Sequence, residues 1–398
     1  MAKTTVINKE GEDRIPFFRG ILVQSLLKAG LAYTDAYELS QEVKEKLKDV
    51  EEISKHDLFL FVAGLVEKVH GVKARTAYEN KPLLDTDIIV HSPLRSDRFS
   101  VGILTHSLEA CAIPTEIARN GALSVHETLL NDGITEIQHS DLREIIFKSL
   151  KEYAGDDAAN RYLSWRQFEN SSKTMIILIG GVTGSGKSTL AAELAYRLDI
   201  AGIQSTDMMR EIIRSYLPRE VVPTLMHSSF AAWRGLPFPR ELERKEVDSP
   251  VITGFLSQIN AMQPALEASI SRASLESQHL ILEGVHVLPT HLNMKDVGSD
   301  VVVIPIMLAT MDKSRLRKRF KARARISEER KAEKYLNHMD DIWELQSYLL
   351  NEADRVGIPI VSSQGIEETI SEVLGIISDT ITKIFPAGNG KKKGKKID

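Results

Sequence analysis

Two patterns of apolar and polar positions divide the chain near Lys173. Downstream of it, short apolar runs alternate with longer amphipathic stretches. An apolar run of roughly four to eight residues, rich in β-branched types, is what a strand buried on both faces looks like, and its alternation with helices implies βαβ units. The runs predict strands at Met175–Ile179, Ile203–Ser205, Leu280–Leu282, Val301–Leu308 and Ile358–Val361, each followed by a helix. That order predicts an α/β fold, a five-stranded parallel sheet flanked by helices on both faces.

Upstream, the apolar positions recur at helical spacing, as in Ile21, Leu22 and Leu26, or Leu142, Ile145, Ile146 and Leu150. This half of the chain also repeats itself. Gly20–Leu26 recurs as Gly102–Leu108 at an offset of 82 residues, Ile53–Leu58 aligns with Ile137–Leu142 at an offset of 84, and Gly71 aligns with Gly155. Two copies of one mainly helical unit account for this. Between them, Asn80–Asp97 carries two prolines and short β-branched runs, which read as a linker or a small strand pair. The map expected is therefore a helical unit at 1–80, a linker at 81–97, a second unit at 98–170, an α/β domain at 171–387 and a disordered basic tail at 388–398.

Composition narrows the class. A net charge of −4 on 398 residues argues against a dedicated nucleic-acid binder, which needs a strongly basic surface to displace counterions. The single cysteine, Cys111, can form neither an internal disulfide nor a multi-cysteine metal site, and reads as a small buried apolar residue. The N-terminal residues are too polar for a signal peptide, and the longest nearly pure apolar run, Val301–Ala309, is too short to span a bilayer. The expectation is a cytoplasmic protein with no membrane partner, and a homo-oligomer is left open.

The chemistry concentrates where the first strand of the α/β half ends. There Gly181-Val182-Thr183-Gly184-Ser185-Gly186-Lys187-Ser188, followed by Thr189, matches the phosphate-loop pattern G-x-x-x-x-G-K-S/T in its required setting of strand, loop and helix. Glycines let backbone N–H groups wrap a polyphosphate, and the helix starting at Lys187 adds its positive dipole end. Lys187 is expected to reach the β- and γ-phosphates of ATP, and Ser188 to ligate Mg2+. Phosphoryl transfer also asks for a carboxylate to orient the attacking hydroxyl or hold the metal. Asp207 and Glu283 stand at the ends of the second and third strands, where open parallel sheets gather ligands. Asp207 has a competing role in a helix N-cap; Glu283 is harder to explain without a metal. His286 is a candidate substrate contact.

Asp207, Arg210 and Arg214 fall on one helical face, a carboxylate beside two guanidinium forks suited to a small anionic acceptor, although a solvated charged face would look the same. His227, Ser228, Ser229 and Arg234 could complete that pocket. Further on, Lys313–Lys331 holds ten Lys or Arg against two Glu, with Arg315, Arg319 and Arg323 on one face and Leu316 and Phe320 as a packing stripe. This reads as a lid helix that delivers arginines such as Arg319 to the transferring phosphoryl group; RNA binding is the alternative, but no aromatic platform accompanies it.

Gly180–Thr189, Ser205–Glu211, His227-Ser228-Ser229, Glu283–His286, Lys318–Arg325, Tyr335-Leu336, Gln346, Tyr348 and Gly357-Ile358-Pro359 together resemble the archaeal 2-phosphoglycerate kinase family over about the last 225 residues. The resemblance implies transfer of the ATP γ-phosphoryl group to the hydroxyl of 2-phosphoglycerate. Arg98-Phe99 and Ala158–Tyr162 in the second upstream copy, with their weaker counterparts in the first, resemble the ATP-cone family of nucleotide-sensing modules. A duplicated scaffold that binds nothing is the alternative there. Two other functions stay open, a nucleotide-dependent regulator and a kinase acting on another phosphorylated metabolite or nucleic acid.

Overall fold

The computed structural model describes residues 4–7, 14–29, 31, 33–48, 50–79, 88–92, 96–237, 249–293, 297–324 and 329–387. The basic tail and residues 81–87 of the expected linker lie outside the described residues. So does Arg325, and of the Arg323 side chain nothing is described.

Two compact units make up the chain, Met1–Phe99 with His126–His139, and Ser100–Val125 with Ser140–Asp398. The upstream duplication is visible element by element. The first copy runs β1 (Thr5–Ile7), β2 (Arg14–Pro16), α1 (Arg19–Lys28), α2 (Tyr33–Lys46), β3 (Glu52–Ser54) and α3 (Lys55–Glu79). The second runs β4 (Ile89–His91), β5 (Ser96–Arg98), α4 (Val101–Ala110), α5 (Thr115–Asn131), β6 (Glu136–Gln138) and α6 (His139–Glu169). In each, the first two strands pair antiparallel and the third joins the first in parallel. Both long final helices break at the aligned glycines, Gly71 and Gly155, which share φ 82° and ψ 176°, a left-handed conformation that favours glycine. The helical spacing therefore reads the copies correctly as mainly helical. Their three-residue strands are too short to show alternation.

The first copy packs around Leu22, Leu26, Leu39, Val43, Val62 and Val66. The helices α4 and α6 of the second copy fall in the same unit as the large sheet. Within that unit Ser378 donates to the Cys111 carbonyl at 3.2 Å, Arg161 pairs with Asp379 at 3.2 Å, and Phe168 stands edge-on to Phe385. Cys111 is wholly buried, its thiol pushed up to about 12 by burial, which suits an inert packing residue.

The large sheet is five-stranded and parallel throughout. Its strands are β7 (Thr174–Gly180), β8 (Gly202–Ser205), β9 (Leu280–Gly284), β10 (Val301–Ala309) and β11 (Ile360–Ser362), in spatial order β11-β10-β7-β9-β8. All seven residues of β7 are buried because α-helical layers cover both faces. Ile176, Leu178, Leu280 and Leu282 pack with Leu266 and Ile270 of α9 (Pro250–Leu275). A separate cluster joins Val182, Phe230, Phe255, Leu316, Phe320, Ile342 and Leu349 beneath the carboxyl ends of the strands. The last strand begins two residues later than expected, after Pro359, whose carbonyl accepts from the Met307 N–H while its own nitrogen has no hydrogen to donate.

Among the described residues, no helix is long and apolar enough to cross a membrane.

Candidate functional site

The site forms where β7, β9 and β8 end side by side. β7 delivers the phosphate loop, and α7 (Lys187–Arg197) starts from it with Gly186 in the left-handed region at φ 102°. Two further glycines are structural requirements. A Cβ on Gly181 (φ 142°) would stand 2.4 Å from the Leu308 carbonyl oxygen, and one on Gly184 (φ 82°) would stand 2.6 Å from Cε1 of Phe320. The loop is thus seated on β10 and on α10 (Lys313–Ala324), whose Leu316 and Phe320 are the buried stripe expected from the sequence.

Lys187 is only 8 % exposed, and its ammonium donates to the Val182 carbonyl at 2.8 Å. The Ser185 hydroxyl is buried inside the loop and has no hydrogen-bond partner among the described residues. A buried, unpaired hydroxyl in a cradle of glycine backbone suits a phosphate oxygen, because an orphaned polar group there is otherwise unfavourable. Val182 and Ser185 are buried, Thr183 and Gly184 half-buried, and Ser188 and Thr189 face solvent.

Glu283 is the second element. It is 5 % exposed at the end of β9, level with Ile179 on β7 and Ser205 on β8. Its Oε1 accepts from the Ser188 hydroxyl at 3.0 Å. A serine hydroxyl and a carboxylate together are hard oxygen donors of the kind Mg2+ takes, and the pair stands beside the phosphate loop. No group of three or more His, Cys, Asp or Glu assembles anywhere among the described residues, so the donor set fits a hydrated Mg2+ shared with phosphate rather than a closed protein cage.

Arg319 projects from α10 onto the same loop. Its Nη1 donates to the carbonyls of Gly184 (3.2 Å) and Ser185 (2.9 Å) and to the Ser363 hydroxyl (2.9 Å), while Nη2 donates to the Ser363 carbonyl at 2.5 Å. Burial, then Arg315 nearby, lowers its pKa from the usual guanidinium value. In this conformation Arg319 fastens the basic helix to the loop and to the end of β11, a role the sequence did not suggest. Phe320 stacks on Tyr335 of α11 (Glu329–Asn337) with centroids 5.0 Å apart, and Tyr335 meets Phe230 edge-on at 5.9 Å.

The residues expected to take the acceptor lie on and around α8 (Thr206–Tyr216). Asp207 is exposed in its first turn, and the preceding N-cap residue, Ser205, makes no capping hydrogen bond. Arg210 does not stand open: Nη1 donates to the carbonyls of Leu225 (2.9 Å) and His227 (3.1 Å), and Nη2 to Glu211 (2.7 Å). Arg214 pairs with the other oxygen of Glu211 at 2.7 Å. The same carboxylate therefore holds both forks. His227 is half-buried and Ser229 buried, His227 following the short 3-10 helix Pro223–Met226 and Ser229 opening a second, Ser229–Gly235, between α8 and α9 in the chain. Burial lowers the His227 pKa, and the positive charges of Arg219, Arg234 and Lys334 lower it further. Arg219 and Lys334 escape sequence reasoning because they lie on separate elements without a motif.

His286 is 1 % exposed, and both ring nitrogens are engaged, Nδ1 with Thr206 Oγ1 at 3.0 Å and Nε2 with Gln258 Oε1 at 2.9 Å. It is thus enclosed by protein groups. Gln258 was absent from the sequence expectations. Its signal is a polar residue on the stripe Val251, Phe255, Met262 of α9, all buried.

Comparison with known proteins agrees with this geometry. No family model matches the chain. A 2-phosphoglycerate kinase of Pyrococcus horikoshii is 35% identical over 300 residues, covering 75% of this chain and 94% of that protein. The enzyme of the same name from Pyrococcus furiosus is 36% identical over 74% of this chain and 93% of its own length, and that of Methanopyrus kandleri 35% identical over 72% and 85%. About a quarter of this chain lies outside the match with the first, roughly the length of one upstream copy, whereas that relative is matched almost end to end. With identity and coverage of this extent, the chain belongs to the 2-phosphoglycerate kinase family.

Proposed function

We propose that the chain transfers the γ-phosphoryl group of ATP, with Mg2+, to the free hydroxyl of 2-phosphoglycerate, giving ADP and 2,3-bisphosphoglycerate. The observation that carries the reading is the 3.0 Å bond from Ser188 to Glu283, which sets a serine hydroxyl and a carboxylate between the phosphate loop and the start of α8. In the transfer, the acceptor oxygen forms a bond to the γ-phosphorus as the bond from that phosphorus to the β–γ bridging oxygen breaks. The hydroxyl proton goes to the Asp207 carboxylate, or to water that Asp207 orients. Lys187 leaves the Val182 carbonyl to meet the β- and γ-phosphates, and Gly181, Val182, Thr183, Gly184, Ser185, Gly186 and Thr189 supply backbone or hydroxyl donors around them. Ser188 and, through water, Glu283 would hold Mg2+, which would supply charge neutralisation at the phosphates.

The cationic surroundings of His227 support an acceptor that brings a phosphate and a carboxylate of its own. Under this reading Arg210, Arg214, His227, Ser228 and Ser229 line or hold the acceptor pocket, and α10 with Arg319 acts as the lid. Catalysis resides in residues 171–387, and the upstream copies at 1–80 and 98–170 are accessory units. The test is a coupled ADP assay of the full chain with 2-phosphoglycerate, 3-phosphoglycerate, other phosphorylated acids and nucleosides. ADP formation that depends on 2-phosphoglycerate above the rest is expected. Equal ADP release with every compound, or with none, would mean a nucleotide-hydrolysing regulator and overturn the proposal.

A further inference from the structure

The polar groups behind α8 are joined in a chain whose hydrogen-bond direction can be worked out atom by atom. Gln258 is wholly buried, and its Nε2 donates to two carbonyls, Thr224 at 2.8 Å and His227 at 3.1 Å. An amide nitrogen has two hydrogens, and both are used. The opposite orientation of the amide would set its oxygen against two carbonyl oxygens, so the network assigns nitrogen to that side. Gln258 Oε1 has no hydrogen to give. His286 Nε2, 2.9 Å away, must therefore carry the ring proton and donate it.

The rest follows from the ring. Burial holds the His286 pKa down to about 4; the Asp207 carboxylate opposes this, and Arg210 and Lys187 add to it. The ring is neutral near physiological pH, so Nδ1 offers a lone pair and the Thr206 hydroxyl, 3.0 Å away, donates to it. Thr206 is itself completely buried and wedged on the end of β9, where a Cβ at Gly284 (φ 154°) would meet its Oγ1 at 1.8 Å. One line of donors and acceptors thus runs from the first residue of α8, beside Asp207, through His286 and Gln258 to the backbone of the Thr224–His227 segment. Arg210 clamps the same segment from α8 by donating to the Leu225 and His227 carbonyls.

We propose that Gln258, His286 and Thr206 are positioning residues, a directional hydrogen-bond chain that holds the Thr224–His227 segment in register with Asp207 so that acceptor and base meet. The proposal rests on the kinase reading above for its kinetic consequence and stands apart from it in its structural one. None of the three touches the reacting atoms. His286 in this role is a neutral spacer that must donate on one side and accept on the other, which an ionised carboxylate, an ammonium or a guanidinium cannot do.

Four measurements on the full chain test it. Gln258→Met keeps the volume but leaves two buried carbonyls and the ring N–H without that partner; KM for 2-phosphoglycerate is expected to rise about tenfold or more, with KM for ATP changed less than about twofold. Thr206→Val is expected to give the same asymmetric defect and Thr206→Ser, which restores the hydroxyl, to remove it, and this pair decides the matter if Gln258→Met fails to fold. Nitrogen NMR of the wild-type histidines is expected to report His286 as the neutral Nε2–H tautomer, and hydrogen exchange to show the amides of 224–229 losing protection in Gln258→Met. If the wild-type chain shows no dependence on 2-phosphoglycerate, the functional reading fails and the NMR and exchange results alone judge the chain. Equal effects on both KM values, a Thr206→Ser variant no better than Thr206→Val, an Nδ1–H or charged His286, or unchanged exchange would each overturn the proposal.

Discussion

The two halves of the site are built by different means. On the phosphate side, Gly181–Ser188 forms one continuous loop whose donors are mostly main-chain N–H groups, and its glycines are dictated by close approach to Leu308 and Phe320. On the side proposed to take the acceptor, no continuous stretch supplies the groups. Thr206, Arg210, Gln258 and His286, on three separate elements, tie down the short 3-10 helix Pro223–Met226 and His227 after it. A site made from backbone can be encoded locally, whereas a site made from side chains needs the whole fold before any of its partners meet. Damage should accordingly be severe and ATP-centred on the first side, and graded and acceptor-centred on the second.

The largest effect expected is at Lys187. Lys187→Ala removes the one ammonium in the loop and should lower acceptor-dependent ADP formation by roughly 10²-fold or more while circular dichroism stays unchanged. Full activity in that variant would reverse the assignment of the loop. Next, Arg319→Gln removes a fork that bonds to Gly184, Ser185 and Ser363. It should cut kcat/KM for ATP by about tenfold, since several bonds from a charged donor are lost; a change confined to KM for the acceptor would show that the helix serves the other half.

A pH titration of stability probes the acceptor half. The folded chain holds His286 neutral down to about 4, against an ordinary 6.5 in the unfolded chain, so between those values the unfolded state binds more protons. Stability is therefore full above 6.5 and is lost as the pH falls toward 4, by about 3 kcal/mol from this one group. Urea unfolding of wild type and His286→Asn at several pH values checks it, and the variant should show a shallower acid loss. Parallel slopes would mean that His286 is not held neutral. His279, whose pKa burial also lowers, contributes to the acid loss of both proteins. The smallest effect belongs to Arg214, which is 40% exposed and paired only with Glu211 among the described residues. Arg214→Ala should change stability by less than about 1 kcal/mol in a melting experiment, as exposed ion pairs generally do. A larger loss would show that Glu211 needs both arginines to keep Arg210 on its carbonyls.

The same division explains what could be read from the chain. All five strands of the large sheet were visible as apolar runs, most plainly the central β7 and β9, which are buried along their whole length, and less so the edge strand β8, whose Ile203 is exposed. Their ends were less so: β9 continues through Glu283 and Gly284, a carboxylate that pattern alone would exclude from a strand. Lys187, Ser188 and Glu283 were foreseeable as neighbours, since each closes a predicted strand or opens the helix after it. Arg210 was foreseeable on one face of α8 with Asp207, yet not as a clamp on backbone carbonyls, because its partners at 225 and 227 acquire their geometry only through α9. Gln258 had a local signal, a polar side chain on an apolar stripe, but nothing in its surroundings named His286 as its partner.

The most direct test of the central claim is phosphorus NMR of the full chain incubated with ATP, Mg2+ and 2-phosphoglycerate. The account predicts ADP and a bisphosphorylated glycerate appearing in equal amounts. Inorganic phosphate appearing with ADP at a rate indifferent to the acceptor would contradict it.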